Sequence, residues 1–292
     1  MNQTQTHVRN CLAAVDSVVL GKAQVTRLAF ATLLARGSIL IEDRPGIGKT
    51  TLAKALASVL GLSFQRIQCT NDLLPMDILG RLDYTHSASP GLIKGPIFAS
   101  IVLLDELNRA PPRTQSAFLQ AMEEGEVTLE GQTFALPKPQ MFIATQNPSD
   151  QIGTTLLPES ELDRFTIRIS LGFPDPASEK VILKFGQQDK LSILQKTLEQ
   201  SELLELQEAV AKITVSDSIL ELVVRFLNYS RSKGAYLSPR AGKDLVRVSQ
   251  AIAFLNHQQN VLPEDVKSSM KAVIEHRVRD CDALISGFSF QA

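Results

Sequence analysis

The chain has 292 residues, and its 31 acidic and 30 basic side chains leave a formal net charge of −1. That balance argues against a protein that coats nucleic acid through bulk positive charge and leaves open only a local basic groove. With no Trp and three Tyr, stacking platforms for single strands are thinly supplied. Apolar residues at 44% and charged residues at 21% exclude a disordered chain, and at roughly 100–200 residues per domain the length predicts two domains.

The polar opening from Met1 to His7 lacks the basic and then apolar profile of a signal peptide. Ser38 to Glu42 reads as a short buried strand. A Gly-containing turn follows, then a helix from Thr50 to Leu60 with Leu52, Ala53, Leu56, Ala57 and Leu60 on one face and Gly61 as its stop. Between Leu82 and Lys94, the turn from Ser87 to Gly91 predicts a hairpin. Ile101 to Leu104 is a second strand, ending at Asp105-Glu106. Pro111-Pro112 then opens a helix that carries Ala117, Phe118, Ala121 and Met122 and stops at Gly125. Glu130-Gly131-Gln132 separates Val127–Leu129 from Thr133–Leu136, a second hairpin, and Met141 to Thr145 is a third strand, ending at Gln146-Asn147-Pro148.

This alternation predicts an α/β domain with a mainly parallel sheet. Pro174-Asp175-Pro176 reads as a linker, and the pattern beyond it is helical. Ser216 or Asp217 caps a helix with the stripe Ile219, Leu220, Val223, Val224 and Leu227. Ser238-Pro239 and Pro263-Glu264-Asp265 open two more. The expected division is an α/β domain over 1–174 and a small all-helical domain over 175–292. Cys11, Cys69 and Cys281 stand far apart, as do His7, His86, His257 and His276, so neither a disulfide framework nor a metal-binding helix is expected. The longest strongly apolar stretch, Pro96 to Leu104, is about half the ~20 residues of a membrane-spanning helix. Reduced thiols, no membrane insertion and a cytoplasmic location are the expectations.

All three predicted strands end in polar residues. In open α/β sheets ligands bind beyond the carboxyl ends of the strands, so these tips should converge on one site. Asp43 to Thr50 lies between strand and helix, where the loop opens at Pro45 and the backbone N–H groups of Gly46-Ile47-Gly48-Lys49-Thr50-Thr51, with the helix N-terminus, suit a polyphosphate. Lys49 would neutralise β- and γ-phosphates, and the Thr50 hydroxyl would coordinate magnesium. The full phosphate-loop pattern begins with Gly, and this chain has Asp43 there. Asp is read as tolerating the backbone angles of an entry turn. At the next strand tip, Asp105 suits magnesium through water, and Glu106 suits polarisation of the attacking water. Asn147 reads equally as a residue that orients this water and as a turn former before Pro148.

Taken together, these residues resemble the Walker A, Walker B and sensor 1 elements of an AAA+ ATPase, specifically of the MoxR family. Further stretches carry the likeness: Arg66 to Pro75, Gly95 to Ala99, Asp105 to Pro112, Ala144 to Pro148 and Leu162-Asp163-Arg164-Phe165. The resemblance runs from about Val18 to the end, and it implies an AAA+ core followed by a helical lid. It further implies that Arg164, which spacing alone reads as a surface ion-pair residue, is an arginine finger completing a neighbouring subunit's site. Arg240 then corresponds to sensor 2, reaching the nucleotide from the lid. In the first turn of its helix a cation opposes the helix dipole, and a functional anion nearby would justify that placement. Val19, Leu20 and Gly21 correspond to the loop that packs on adenine, with an ordinary turn as the other reading. Arg109 and Arg113 are candidate contacts to a neighbouring subunit, and the hairpins correspond to inserts that line a pore or face a partner.

The resemblance implies ATP and Mg2+ as cofactors and a self-assembled ring, with a hexamer as the expected size. It also implies remodelling or maturation of a protein client, with von Willebrand factor A domain proteins among the partners. Two other readings stay open. One is a nucleic-acid motor of helicase or clamp-loader type, although the first insert offers only Lys94 and His86 as basic groups. The other is a nucleotide-gated scaffold without turnover, against which the presence of both Asp105 and Glu106 speaks.

Overall fold

The computed structural model describes residues 3–85, 91–147, 157–185, 191 and 194–290. His86, the turn residues 87–90 and Pro148 lie outside the described residues. Two helices, α1 (Gln3–Asp16) and α2 (Ala23–Leu34), precede β1 (Ile39–Glu42) and α3 (Lys49–Val59). Next come β2 (Phe64–Gln68), α4 (Pro75–Leu79), the hairpin β3 (Gly80–Asp83) and β4 (Gly91–Lys94), then β5 (Ile101–Asp105) and α5 (Pro112–Glu124). A second hairpin, β6 (Glu126–Leu129) and β7 (Gln132–Ala135), leads to β8 (Met141–Gln146), α6 (Glu159–Leu162) and β9 (Ile167–Ile169). The rest is helical: α7 (Pro176–Phe185), α8 (Gln200–Ala211), α9 (Asp217–Ser232), α10 (Pro239–Leu255), α11 (Pro263–Ile274) and α12 (Cys281–Ser286).

Five parallel strands form the main sheet, in the order β2-β5-β8-β1-β9. The three central strands are the apolar runs read from the sequence, as expected where both faces of a parallel sheet are covered. Successive side chains go to opposite sides. Ile39, Ile41, Ile101, Leu103, Met141 and Ile143 join one buried cluster, while Leu40, Val102, Leu104, Phe142 and Ala144 join the other. The first cluster contains α1, α2 and α3 residues and runs on without a break into the lid, where α10 packs on α2. The second is covered by α4, α5 and the hairpin roots.

The two strands that sequence reading missed, β2 and β9, are the edges. In β2 only Ile67 is buried, with polar Gln65, Arg66 and Gln68 exposed around it, and β9 is three residues long. Edge strands are half-covered, so they need no continuous apolar run. Both predicted hairpins form, in antiparallel register. The root of the first is closed tightly: a Cβ at Gly80, whose φ is 92°, would lie 2.2 Å from the Ile93 carbonyl oxygen. The Tyr84 hydroxyl donates to Glu130, joining the two hairpins.

Candidate nucleotide site

The register of the sheet brings the polar strand tips level, with Gln68 beside Asp105 and Glu42 beside Gln146. Between β1 and α3 the phosphate loop turns on Gly46 (φ 83°) and Gly48 (φ 97°), angles that L side chains rarely adopt. A Cβ at Gly46 would meet nothing within 4 Å, so the backbone angle and not space demands glycine there. Gly48 is the N-cap of α3, and the helix begins at Lys49, one residue before the expected start.

Lys49 is buried at 8% exposure, and its ammonium donates to the Asp43 carbonyl oxygen at 2.7 Å and to Asn147 Oδ1 at 3.5 Å. Burial lowers its pKa, an effect opposed by Asp105, Asp43 and Glu106. A cation so placed gains from an anion that replaces lost hydration. Asn147, also buried, presents its carbonyl to Lys49 and its amide nitrogen to Glu106 Oε1 at 3.1 Å. Only that orientation satisfies both a cation and a carboxylate.

Asp105 accepts from the Thr145 hydroxyl at 2.6 Å, and the same hydroxyl accepts from the Glu106 N–H at 2.9 Å. Glu106 adopts a left-handed backbone (φ 59°), which costs a non-glycine residue on the order of 1–3 kcal/mol. The Thr145 contact holds it there. Besides Asn147, the Glu106 carboxylate receives Arg109 at 2.8 Å and Gln68 at 3.4 Å, while Arg66 forks onto Asp105. Thr145, Arg66 and Gln68 are site contacts that spacing did not reveal. Thr145 had a signal, since its hydroxyl is polar within an otherwise apolar strand. Arg109 bonds within its own chain here, and Arg113 is exposed.

A cleft of about 360 Å3 separates the loop wall of Pro45, Gly46, Gly48, Lys49, Thr50 and Thr51 from Asp105, Glu106 and Asn147. It continues into an apolar recess of about 240 Å3 lined by Val19, Leu20, Ile47 and, from beyond β9, Phe173, Pro174 and Leu183. Phe173 is 69% exposed at its rim, held by Lys22, which donates to its carbonyl at 2.6 Å. These later residues were not anticipated, because they lie some 150 positions from Val19 in sequence. Gly21 stands behind the recess: a Cβ there would approach Asp175 Oδ2 to 2.4 Å.

Asp43 does not serve the entry turn as expected, for it has no positive φ. Its carboxylate accepts from the backbone N–H groups of Leu171 and Gly172 and, at 3.0 Å, from the Ser170 hydroxyl. The side chain therefore ties the phosphate loop to the strap that leads into α7.

Arg164 and Arg240 are brought together, but not to the phosphate cleft. Both bind Glu123 on α5, Arg164 at 3.2 Å, and both line a separate cleft of about 760 Å3. Glu123 is thus the anion beside Arg240 in the first turn of α10, a helix capped by the Ser238 hydroxyl. Among the described residues no group of three or more His, Cys, Asp or Glu is placed to hold a metal, and no helix is long and apolar enough to cross a membrane.

Residues 38–167 match the family profile described as ATPase family associated with various cellular activities (AAA), and residues 233–289 match the AAA lid domain. The chain is 38% identical to the uncharacterized protein YeaC of Bacillus subtilis, over 90% of this chain and 84% of that one. It is 34% identical to the chaperone MoxR1 of Mycobacterium tuberculosis, over 94% of this chain and 76% of the relative. A crystal structure of a candidate ATPase from Cytophaga hutchinsonii superposes with a TM-score of 0.84 at 33% identity, covering 98% of this chain and 91% of that chain. With an AAA core, an AAA lid and relatives of this identity along nearly its whole length, the chain belongs to the MoxR family of AAA+ ATPases.

Proposed function

We propose that the chain binds ATP with Mg2+ in the phosphate cleft, hydrolyses it within a self-assembled ring, and uses the cycle to remodel or mature a protein client. The observation that carries hydrolysis is the hydrogen-bonded chain from buried Lys49 and Asn147 to Glu106 across the cleft. Lys49 and the loop N–H groups take the phosphates, and the recess around Val19, Leu20 and Phe173 takes the base. The Thr50 hydroxyl and the Asp105 carboxylate are hard oxygen ligands that fit an ion held partly by phosphates and water, so no all-protein metal cage is needed. Bound there with the nucleotide, Mg2+ would draw charge from the phosphate oxygens.

Glu106 would accept the proton of the attacking water. A carboxylate has about four acceptor sites, and the three donors described at Glu106 leave room for that water. Asn147 fixes the carboxylate relative to Lys49, hence relative to the phosphates. Arg164 and Arg240, turned away from their own chain's cleft, are read as acting on a neighbour's nucleotide, and this supports the ring, with a hexamer as the expected size. For Arg240 this replaces a reach across its own site.

The name of the M. tuberculosis relative, a chaperone, supports a protein client. A von Willebrand factor A domain protein is the partner class implied by the family likeness. A cytoplasmic location fits these roles, and we divide the chain into a core over 1–174 and a lid over 175–292. The test is Mg-dependent phosphate release measured across protein concentration. Specific activity should rise as rings form, and a value that stays flat from dilute monomer to assembled ring overturns the trans reading.

A further inference from the structure

The segment that carries Arg164 is gripped from the lid by one buried side chain. Arg277, just beyond α11, has a guanidinium 3% exposed, and all three of its nitrogens are used. Nε donates to Asp163 Oδ1 at 2.8 Å, and Nη1 donates to the Val273 carbonyl at 2.6 Å. Nη2 reaches the carbonyl oxygens of Asp163 (3.0 Å) and Phe165 (2.7 Å) and Asp244 Oδ2 (2.7 Å). The two carbonyls belong to the residues on either side of Arg164. A backbone held at both neighbours has little freedom left at the residue between them, so its side chain leaves in a set direction.

The same cluster reaches the second arginine. Asp163 accepts from the Ser238 hydroxyl at 2.9 Å, and Ser238 caps the helix that bears Arg240. Asp244 lies one turn further along that helix. His276 adds a contact from its Nε2 to the Phe165 carbonyl at 2.9 Å. Since a carbonyl only accepts, Nε2 carries the hydrogen. Burial lowers the pKa of this imidazole well below its usual value, so it stays neutral beside Arg277. The lid profile begins at 233 and the core profile ends at 167, so the cluster spans the two.

An ion pair as buried as that between Arg277 and Asp244 is a poor way to gain stability, because apolar residues of similar volume do as well or better. We propose that Arg277 is a positioning residue: from the lid it fixes the presentation of Arg164, and through Asp163 and Ser238 that of Arg240, to the neighbouring subunit. Lid placement and finger placement are then one variable. The proposal rests on the trans reading of Arg164.

The test uses mixed rings of full-length chains. Lys49→Ala protomers donate fingers but cannot use their own site, and Arg164→Ala protomers hold nucleotide but donate no finger. Their mixture should regain turnover. Arg277→Met is then added to one population or the other. Displacement of a catalytic group by ~1 Å costs about 10²-fold in rate. In the finger donors the substitution should therefore lower kcat by 10- to 100-fold with KM for ATP unchanged; in the nucleotide holders the loss should be less than about threefold. Arg277→Lys, which keeps the charge but not the fork, should show the same asymmetry in a milder form and covers the case where the Met variant does not fold. Equal losses in both populations, or a loss expressed as KM, make the cluster merely structural and overturn the proposal. If the parent mixture regains no turnover, the trans reading itself fails and the proposal with it.

Discussion

The phosphate cleft draws its polar groups from adjacent strand tips of one sheet, whereas the Arg164–Arg240 cleft is assembled from α5, the 163–165 segment and the lid. In the first, Lys49, Asn147 and Glu106 bond to one another, so the chemistry is arranged inside one chain. In the second, two cations face a single carboxylate, Glu123, and Arg277 binds the backbone on both sides of Arg164. Under the proposed function the contrast would separate two tasks: one region to bind and activate a nucleotide, the other to act on a neighbour's. A site complete in itself is stabilised by local packing. The arginine pair is joined locally through Glu123, and the backbone on both sides of Arg164 is bound from the lid by Arg277.

The sharpest way to break this comparison is Arg164→Ala. If the finger acts on a neighbour, turnover should fall by about 10³–10⁵ with nucleotide affinity of the single chain unchanged, as read by phosphate release and by equilibrium binding. A comparable loss of affinity in the monomer would assign Arg164 to its own cleft. Next is Glu106→Gln, which should lower turnover by about 10²–10⁴ and leave ATP bound, a trap detectable as retained nucleotide after gel filtration. Unchanged turnover removes Glu106 as the base.

Smaller is Thr145→Val. The side chain keeps its volume, but the half-buried Glu106 N–H loses its acceptor, which should cost about 1–3 kcal/mol in chemical denaturation. Because the same bond holds Glu106 in its left-handed turn, turnover should drop too. No change in either quantity would mean that the turn is held by other contacts. The least effect belongs to His276. Its folded pKa lies below the ordinary 6.5, so the unfolded chain binds the extra proton in that range. The stability it contributes is complete above 6.5 and is lost as pH falls below it, by up to about 1.4 kcal/mol per pH unit. His276→Asn should flatten that acid limb, and an unaltered slope would assign acid sensitivity to other groups.

Much of the first region was legible in the sequence, and little of the second. The three central strands announced themselves as apolar runs because both their faces are buried, and the polar residues at their ends could only project past the sheet. Asp105 and Glu106 follow from that geometry and Lys49 from the loop between strand and helix, whereas Asn147 reads equally as a turn former. The edge strands β2 and β9 carried no such signal, so Arg66 and Gln68 were not seen as neighbours of the strand-tip carboxylates. Phe173 was missed because the apolar recess is closed by a segment far along the chain. Glu123 and Arg277 were missed for the same reason. A buried arginine near a helix end looks in sequence like any solvated charge, and only the folded chain reveals that it holds three carbonyls and two carboxylates.

Asp43 offers a handle on the first region that was not visible as such. Its carboxylate is the acceptor for the amide hydrogens of Leu171 and Gly172. Those two hydrogens exchange with solvent only when the tie opens, so their exchange rates report on the phosphate loop although they lie well over a hundred residues downstream. Occupation of the loop should slow both amides together. Asp43→Gly, which restores the residue usual at that position, should release them while leaving the loop's own N–H groups in place. The strap then serves as a gauge of the loop, readable without any label on the site itself.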